Sequence, residues 1–220
     1  MIIQNKKINF LGDSITEGGN ATRPENVYVE VVARIGNLAE ARNYGVGGTC
    51  IAARKTPFEE AVLNEYWSED FVTRALRMDK DADAVVVFGG TNDYGHGDVP
   101  IGDVVDYGDT FCGALNRLLD ILQARFPVPV LFVTPIPRRD VTGPFGEYRR
   151  SFATGTLSDY VCAIKKVAQL HNVEVLDLFS DKDFVSDCNF KVLVSEDNLH
   201  PTDKGHALIA QKIVERLQKM

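Results

Sequence analysis

Apolar residues follow two kinds of pattern along the chain. Short runs rich in β-branched and aromatic residues are separated by longer segments in which apolar residues recur at helical spacing. The predicted strands are Ile8–Leu11, Ala41–Tyr44, Ala84–Phe88, Val130–Thr134 and Val173–Leu178. The predicted helices are Asn26–Leu38, Phe58–Met78 with a break, Val104–Arg125, Thr154–Leu170 and Asp203–Lys219. Strands that alternate with helices in this way are typical of a parallel sheet.

Two segments show these patterns most clearly. The run 85–88, Val-Val-Val-Phe, is apolar at every position, as expected for a central strand that is buried on both faces. The last predicted helix carries one apolar stripe, and Thr202 stands at its N-cap position. The stripe consists of Ala207, Leu208, Ile209, Ile213, Val214 and Leu217. We therefore predict an α/β fold, a three-layer α/β/α sandwich with helices on both faces of a five-stranded parallel sheet.

Length and composition narrow the class of protein. The 220 residues suffice for one sizeable α/β domain, and no repeat or low-complexity linker divides them, so we predict a single domain over residues 1–220. Hydrophobic residues at 45% and charged residues at 25% are the balance of a soluble, folded protein. The net charge of -7, with no Lys/Arg run longer than two, argues against a nucleic-acid partner.

The chain has no apolar stretch approaching the ~20 residues of a membrane span. Its first residues do not resemble a secretory signal, so we expect a cytoplasmic location. The cysteines are far apart and form no C-x-x-C pair, which favours reduced thiols over a disulfide framework or a metal site. They are Cys50, Cys112, Cys162 and Cys188. We assign no role to His96, His171 or His206, and we expect no bound metal.

Candidate catalytic residues follow the predicted strands, because the loops beyond the carboxyl ends of parallel strands carry the ligand sites. The first strand runs into Gly-Asp-Ser-Ile-Thr-Glu-Gly at 12–18, which places Ser14 on a tight turn. Taken alone, such a sequence is typical of an ordinary turn. A serine nucleophile needs a base and an acid that orients the base. Asp197 and His200, just before the last helix, have a spacing that lets the carboxylate reach one imidazole nitrogen and leaves the other free for Ser14.

Two further loops offer donors for the oxyanion that forms during acyl transfer. Asn-Tyr-Gly-Val-Gly-Gly at 43–48 follows the second strand, and Gly-Thr-Asn-Asp at 90–93 follows the third. We expect an oxyanion hole made by the backbone N–H groups of Ser14 and Gly48 and by Asn92 Nδ2. Glycine-rich loops also suit phosphate binding, so a flavodoxin-like nucleotide-binding module and a non-catalytic interaction protein are the alternatives outside the enzyme class.

Together these motifs resemble the SGNH hydrolases, or GDSL-type esterases and lipases, whose conserved blocks occur in the same order. The matching blocks lie at 12–18, 43–48, 90–93 and 197–201. The resemblance implies a flavodoxin-like sheet of order 2-1-3-4-5. It implies Ser14 as nucleophile, His200 as base, Asp197 as its partner, and Gly48 and Asn92 as oxyanion donors, with Gly47 as the rival of Gly48. It further implies hydrolysis through an acyl-enzyme that needs neither a metal nor an organic cofactor.

The expected substrate is a small soluble ester, an acetyl or short acyl ester with acetylated carbohydrate as one candidate, because the sequence has no obvious apolar lid helix. A longer-chain acyl ester or thioester hydrolase of the lysophospholipase type is the alternative, since fold and triad do not fix the leaving group. The expected substrate contacts are Asp13, Tyr94, Arg149 and Arg150. The two arginines belong to an arginine- and aromatic-rich segment at 136–152, for which we weigh contact with the substrate alcohol or with a second subunit of a homo-oligomer against a solvated loop.

Overall fold

The computed structural model describes residues 1–55, 69–139 and 154–220. Within these ranges five strands form one parallel sheet. The strands are β1 Lys7–Gly12, β2 Glu40–Gly45, β3 Ala84–Phe88, β4 Val130–Val133 and β5 Glu174–Leu176. Their order across the sheet is β2-β1-β3-β4-β5, with every neighbouring pair parallel, which confirms the predicted architecture.

Helices connect these strands. They are α1 Ser14–Glu17, α2 Tyr28–Gly36, α3 Phe71–Ala75, α4 Thr91–His96, α5 Phe111–Arg125, α6 Leu157–Leu170, α7 Lys182–Val185, α8 Asp187–Leu193 and α9 Asp203–Lys219, with a short 3₁₀ turn at Pro24–Asn26. The bounds of α9 are those predicted, and Thr202 caps it by accepting a hydrogen bond from the backbone of Gly205. In the described part of the chain, no helix is both long enough and apolar enough to cross a membrane.

The sheet separates two apolar cores, and the central strand β3 contributes to both. Val85 and Val87 pack into the core covered by α5 and α6, while Val86 and Phe88 pack into the core covered by α2 and α9. All four side chains are buried. Successive residues of a strand point to opposite faces, so an all-apolar strand requires helices on both sides. This arrangement directs the carboxyl ends of β1, β2 and β3 to one edge of the sheet.

The structure corrects several predicted boundaries. The helix expected from Val104 begins only at Phe111, because Thr110 caps it and Asn116 Nδ2 binds the carbonyl oxygens of Val104 and Asp106, which hold the preceding residues as a loop. Strand β5 is shorter than expected. The backbone N–H of Leu178 donates to a side-chain hydroxyl and not to a neighbouring strand.

Short helices were missed where turn residues, and not apolar periodicity, determine the backbone. Helix α4, for example, begins at Thr91 inside the Gly-Thr-Asn-Asp motif. Of the helix predicted at 58–78, residues 58–68 lie outside the described residues, and α3 forms within the remainder.

Candidate active site

Ser14 is the first residue of α1 and directly follows the turn that ends β1. The Asp13 carboxylate caps this one-turn helix by accepting a hydrogen bond of 3.0 Å from the backbone N–H of Ile15. At its other end, the N–H groups of Gly18 and Gly19 donate to the carbonyl oxygen of Ser14, at 3.0 and 2.7 Å. Gly18 has a φ of 122°, which suits glycine. The turn therefore holds a half-buried serine at the carboxyl edge of the sheet.

The loop between α8 and α9 carries both Asp197 and His200. It is closed by an isolated antiparallel bridge between Val194 and Pro201. Inside the bridge, the N–H of Ser195 donates to the carbonyl oxygen of His200 at 2.9 Å. This tight turn brings the carboxylate of Asp197 back to the imidazole three residues later.

A line of hydrogen bonds joins the serine to the acid. Ser14 Oγ lies 2.8 Å from His200 Nε2, and His200 Nδ1 lies 2.6 Å from Asp197 Oδ2. A carboxylate can only accept, so Nδ1 carries the hydrogen and Nε2 is left to accept from the serine hydroxyl. The fold thus brings together three side chains that the sequence motifs singled out, across a separation of 186 positions.

Asp197 is surrounded by donors. Its Oδ1 accepts from Ser195 Oγ at 2.6 Å and from the backbone N–H groups of Leu199 and His200, both at 2.9 Å. Its Oδ2 accepts from Asn20 Nδ2 at 2.8 Å in addition to the imidazole. Burial alone would raise the pKa of Asp197, but the hydrogen bonds, led by those from Ser195 and His200, outweigh it and hold this pKa below its usual range. The carboxylate is therefore ionised at neutral pH.

A second histidine, His206 on α9, lies beneath the first. It is fully buried, its Nδ1 accepts from the backbone N–H of Tyr28 at 3.3 Å, and its Nε2 donates to the carbonyl oxygen of Gly19 at 3.1 Å. Burial lowers the pKa of His206 and favours the neutral ring. Gly19 lies directly against the His200 ring, since a methyl group added at Gly19 would lie 2.7 Å from His200 Cδ2. His206 therefore holds the backbone on which the His200 ring rests, a role the sequence did not reveal.

The candidate oxyanion donors lie on the neighbouring loops. Asn92 is in the first turn of α4, and its Nδ2 donates to the carbonyl oxygen of Thr49 at 2.9 Å, which uses one of its two amide hydrogens. Gly48 is exposed with a φ of 73°, and a methyl group added there would meet nothing within 4 Å. A methyl group added at Gly47 would lie 3.7 Å from Ser14 Cβ. Gly47, the weaker candidate by sequence, is thus directly beside the serine.

Arg74 on α3 fastens the loops of the site to one another, and sequence reasoning missed it. Its guanidinium is buried and donates to the carbonyl oxygens of Tyr44 at 2.6 Å and Gly12 at 2.9 Å, and to Thr49 Oγ1 at 2.7 Å. These acceptors lie at the ends of β2 and β1 and in the loop that binds Asn92. Burial lowers the pKa of Arg74 to about 10, so the side chain remains a cation at neutral pH. A lone arginine in a predicted helix gave no signal for this role.

Two buried acids shape the loops from within. Asp13, expected to contact substrate, is only 1% exposed, and burial raises its pKa to about 6. Asp93 accepts hydrogen bonds of 3.0 Å from the backbone N–H groups of Ile51 and Ala52, and burial raises its pKa to about 7. The structure therefore places both carboxylates below the surface of the site, which corrects the expectation for Asp13.

The other expected substrate contacts fall in different places. Tyr94 is fully buried in the core, edge-to-face with Tyr160 at 6.3 Å between ring centroids, so its side chain does not reach a substrate. Arg149 and Arg150 lie outside the described residues. From the same segment, Arg138 is buried with its guanidinium 5.4 Å from the Tyr94 ring centroid. Among the described residues, no three His, Cys, Asp or Glu side chains are placed to hold a metal ion.

A five-stranded parallel sheet of order 2-1-3-4-5, with the four motif loops at its carboxyl edge, is the arrangement of the SGNH hydrolases. Residues 10–208 match the model of the GDSL-like lipase/acylhydrolase family. The chain belongs to this family and is a carboxylic ester hydrolase. No curated protein matches the sequence.

Solved structures agree with this assignment. A protein from Lactobacillus plantarum is 32% identical with a TM-score of 0.79, over 99% of this chain and 98% of that one. A possible lipase from Chitinophaga pinensis is 22% identical with a TM-score of 0.69, over 97% and 98% of the two chains. A carbohydrate acetylesterase family member from Sinorhizobium meliloti is 15% identical with a TM-score of 0.60, over 97% and 98%. The last two likenesses concern the fold alone.

Proposed function

We propose that this protein hydrolyses acetyl or short acyl esters of small soluble alcohols through a Ser14–His200–Asp197 triad. The observation that carries the proposal is the unbroken line of hydrogen bonds from Ser14 Oγ through the imidazole to Asp197 Oδ2. A nucleotide-binding module or an interaction protein has no need of this arrangement.

In the proposed reaction, His200 Nε2 takes the hydroxyl proton as Ser14 Oγ attacks the ester carbonyl carbon. The imidazolium then gives this proton to the departing alcohol oxygen, and the acyl group stays on Ser14. Water, deprotonated by His200 in the same way, then attacks the acyl carbon. The bond from this carbon to Ser14 Oγ breaks, the proton returns to Oγ, and the carboxylic acid leaves. Asp197 holds the ring in the required tautomer and stabilises its charged form.

The developing oxyanion is stabilised by three donors. They are the backbone N–H of Ser14, an N–H from Gly47 or Gly48, and the second amide hydrogen of Asn92. A donor of this kind is worth ~3 kcal/mol in the transition state. The bond from Asn92 to the carbonyl oxygen of Thr49 fixes the amide, so that little reorganisation is needed as charge develops.

The substrate class is inferred from the side chains around the dyad. Among the described residues, Glu17, Gly19, Gly47 and Asp197 lie beside Ser14 or His200, and each of them is polar or lacks a side chain. These four residues offer no apolar surface to a long acyl chain, which supports a small polar ester. The carbohydrate acetylesterase family member fits this choice but is too distant to carry it.

The test is hydrolysis of p-nitrophenyl esters from acetyl to dodecanoyl by the wild type, Ser14→Ala and a matched control, Ser158→Ala. Ser158 lies on α6 and lines a surface pocket with Cys162 and Phe179 that includes no residue of the motifs. We expect kcat/KM to be highest for the short acyl chains and to fall by ~10⁴-fold or more in Ser14→Ala, with little change in the control.

A profile that rises toward the long chains, still dependent on Ser14, would replace the short-ester proposal with the longer-acyl alternative. Equal activity of the wild type and Ser14→Ala would contradict the proposed triad.

A further inference from the structure

An exposed carboxylate lies beside the proposed nucleophile. Glu17 ends α1, one helical turn after Ser14, and its side chain is exposed. A methyl group added at Gly47 would lie 2.8 Å from Glu17 Oε2 and 3.7 Å from Ser14 Cβ. The carboxylate and the serine side chain therefore flank the same point, where an incoming ester must pass.

Glu17 also lines a cavity next to the serine turn. The cavity has a volume of about 330 Å³, and its polar lining includes Arg23, Glu30 and Asn43. The Asn43 side chain already makes hydrogen bonds within the fold. Its Nδ2 donates to the carbonyl oxygen of Thr16 at 2.7 Å, and its Oδ1 accepts from the backbone N–H of Gly45. Glu17 is thus the residue that this cavity shares with the immediate surroundings of Ser14.

The environment of the Glu17 carboxylate differs from that of the other acidic side chains near Ser14. Asp13 is buried beneath the turn, and Asp197 is fully occupied by hydrogen-bond donors. Within the described residues, the Glu17 carboxylate has neither a hydrogen bond nor an ion pair, so its charge is directed at solvent and at whatever occupies the site.

We propose that Glu17 determines the charge preference of the enzyme, selecting against esters with an anionic group near the scissile bond and favouring esters with a cationic group there. This inference rests on the proposed role of Ser14. A unit charge a few ångströms from a solvent-exposed carboxylate changes binding by about three- to tenfold. Because the interaction crosses solvent, it weakens as salt rises.

The experiment uses three phenyl acetates that differ only at the para position, with trimethylammonium, tert-butyl or carboxylate groups. The first two have nearly the same shape but differ in leaving-group acidity, so the charge preference is taken from the change in their ratio between wild type and variant, in which the leaving-group effect cancels. We expect Glu17→Gln to lower the cationic-to-neutral ratio of kcat/KM about three- to tenfold and to raise the anionic-to-neutral ratio by a similar factor. In the wild type, raising the salt from about 0.01 M to about 1 M should shrink both preferences, as the Debye length falls from ~30 to ~3 Å.

Glu215→Gln is the matched control, since it removes the same charge from an exposed residue of α9 that does not line the cavity and that bonds to Gln211, which does not line it either. Equal changes on all three esters, or equal effects of Glu17→Gln and Glu215→Gln, would overturn the inference while Ser14→Ala remained inactive. Hydrolysis that survives Ser14→Ala, or no turnover of any ester, would instead overturn the proposed function and this inference with it.

Discussion

The Asn20 amide donates a hydrogen bond of 2.8 Å to the Asp197 carboxylate and so ties the loop after Ser14 to the loop that carries His200. The same amide donates to Ser195 Oγ at 2.7 Å, and Ser195 Oγ donates to Asp197. These three side chains form a closed ring of hydrogen bonds. This ring of hydrogen bonds fixes the Asp197 carboxylate relative to the turn that holds Ser14.

Removing the Asn20 side chain should therefore slow catalysis without unfolding the protein. Asn20 has a φ of 63°, so Asn20→Gly avoids backbone strain. We expect kcat for p-nitrophenyl acetate to fall about tenfold, the value of one lost hydrogen bond to a charged group. Asn20→Asp should cost more, because it places a second carboxylate against Asp197. Wild-type kcat in both variants would show that the ring has no part in catalysis.

Gly19→Ala should displace the base. The added methyl would lie 2.7 Å from His200 Cδ2 and 3.2 Å from His200 Nε2, closer than real carbon atoms approach, so the ring must move away from Ser14. We expect kcat to fall by ~10²-fold, since small misplacements of a catalytic group have effects of this size.

Gly108→Ala is the comparison for Gly19→Ala, because its methyl would meet the Asp106 carboxylate, at 3.1 Å from Oδ1, and Asp106 has no proposed role in catalysis. Single-turnover kinetics of both variants measure the chemical step. Similar losses in the two variants would mean that the contact with His200 is not the cause.

Thr49→Val should destabilise the loops around the site. Thr49 is buried, and its hydroxyl accepts from Arg74 Nη2 and donates to the carbonyl oxygen of Val46, both at 2.7 Å. Valine has nearly the same volume but leaves a buried cation without one of its acceptors. We expect the free energy of unfolding, measured in urea, to fall by ~1–3 kcal/mol.

Thr49→Ser keeps the hydroxyl and loses only a methyl group. It should therefore retain more of the stability than Thr49→Val. If the serine variant is the less stable of the two, packing of the methyl group, and not the bond to Arg74, determines the result.

The buried Asp93 should make stability depend on pH. Its pKa rises to about 7 in the folded state, so between the unfolded value near 4 and pH 7 the folded protein holds more protons than the unfolded chain. The free energy of unfolding should therefore decrease as the pH rises through this window. Asp93→Asn should flatten the decrease, as measured by urea unfolding at several pH values.

Asp81 provides the opposite case. Hydrogen bonds from Arg42 and Lys7 lower its pKa, so its contribution is lost only as the pH falls below the ordinary aspartate range. Asp81→Asn should leave the slope between about pH 5 and pH 7 unchanged. An unchanged slope in Asp93→Asn would indicate that its carboxyl titrates normally in the folded protein.

The sequence could predict the sheet because β1, β3 and β4 carry local apolar runs. It could name Ser14, Asn92, Asp197 and His200 because each stands in a compact motif beside a predicted element. The short helices α1 and α4 escaped prediction, since the turn residues Asp13 and Gly90 initiate them and no apolar period marks them.

Buried polar residues were harder to predict. Arg74 and His206 bind backbone atoms of residues that are far away in sequence. Such hydrogen bonds produce no motif, spacing or composition by which they could be predicted from the sequence. The prediction that Tyr94 contacts substrate was wrong. Tyr94 directly follows a motif, but α4 directs its ring into the core, where it is buried.

The separation of 186 positions between Ser14 and His200 also affects when the side chains of the site can meet during synthesis of the chain. At ~5–20 residues per second, a ribosome makes the serine roughly 10 to 40 s before the histidine. Throughout that interval the hydroxyl of Ser14 has no base beside it and remains a weak nucleophile. We therefore expect hydrolysis to begin only once α9 packs against α2 and the proposed base reaches the serine, and not in a shorter fragment of the chain.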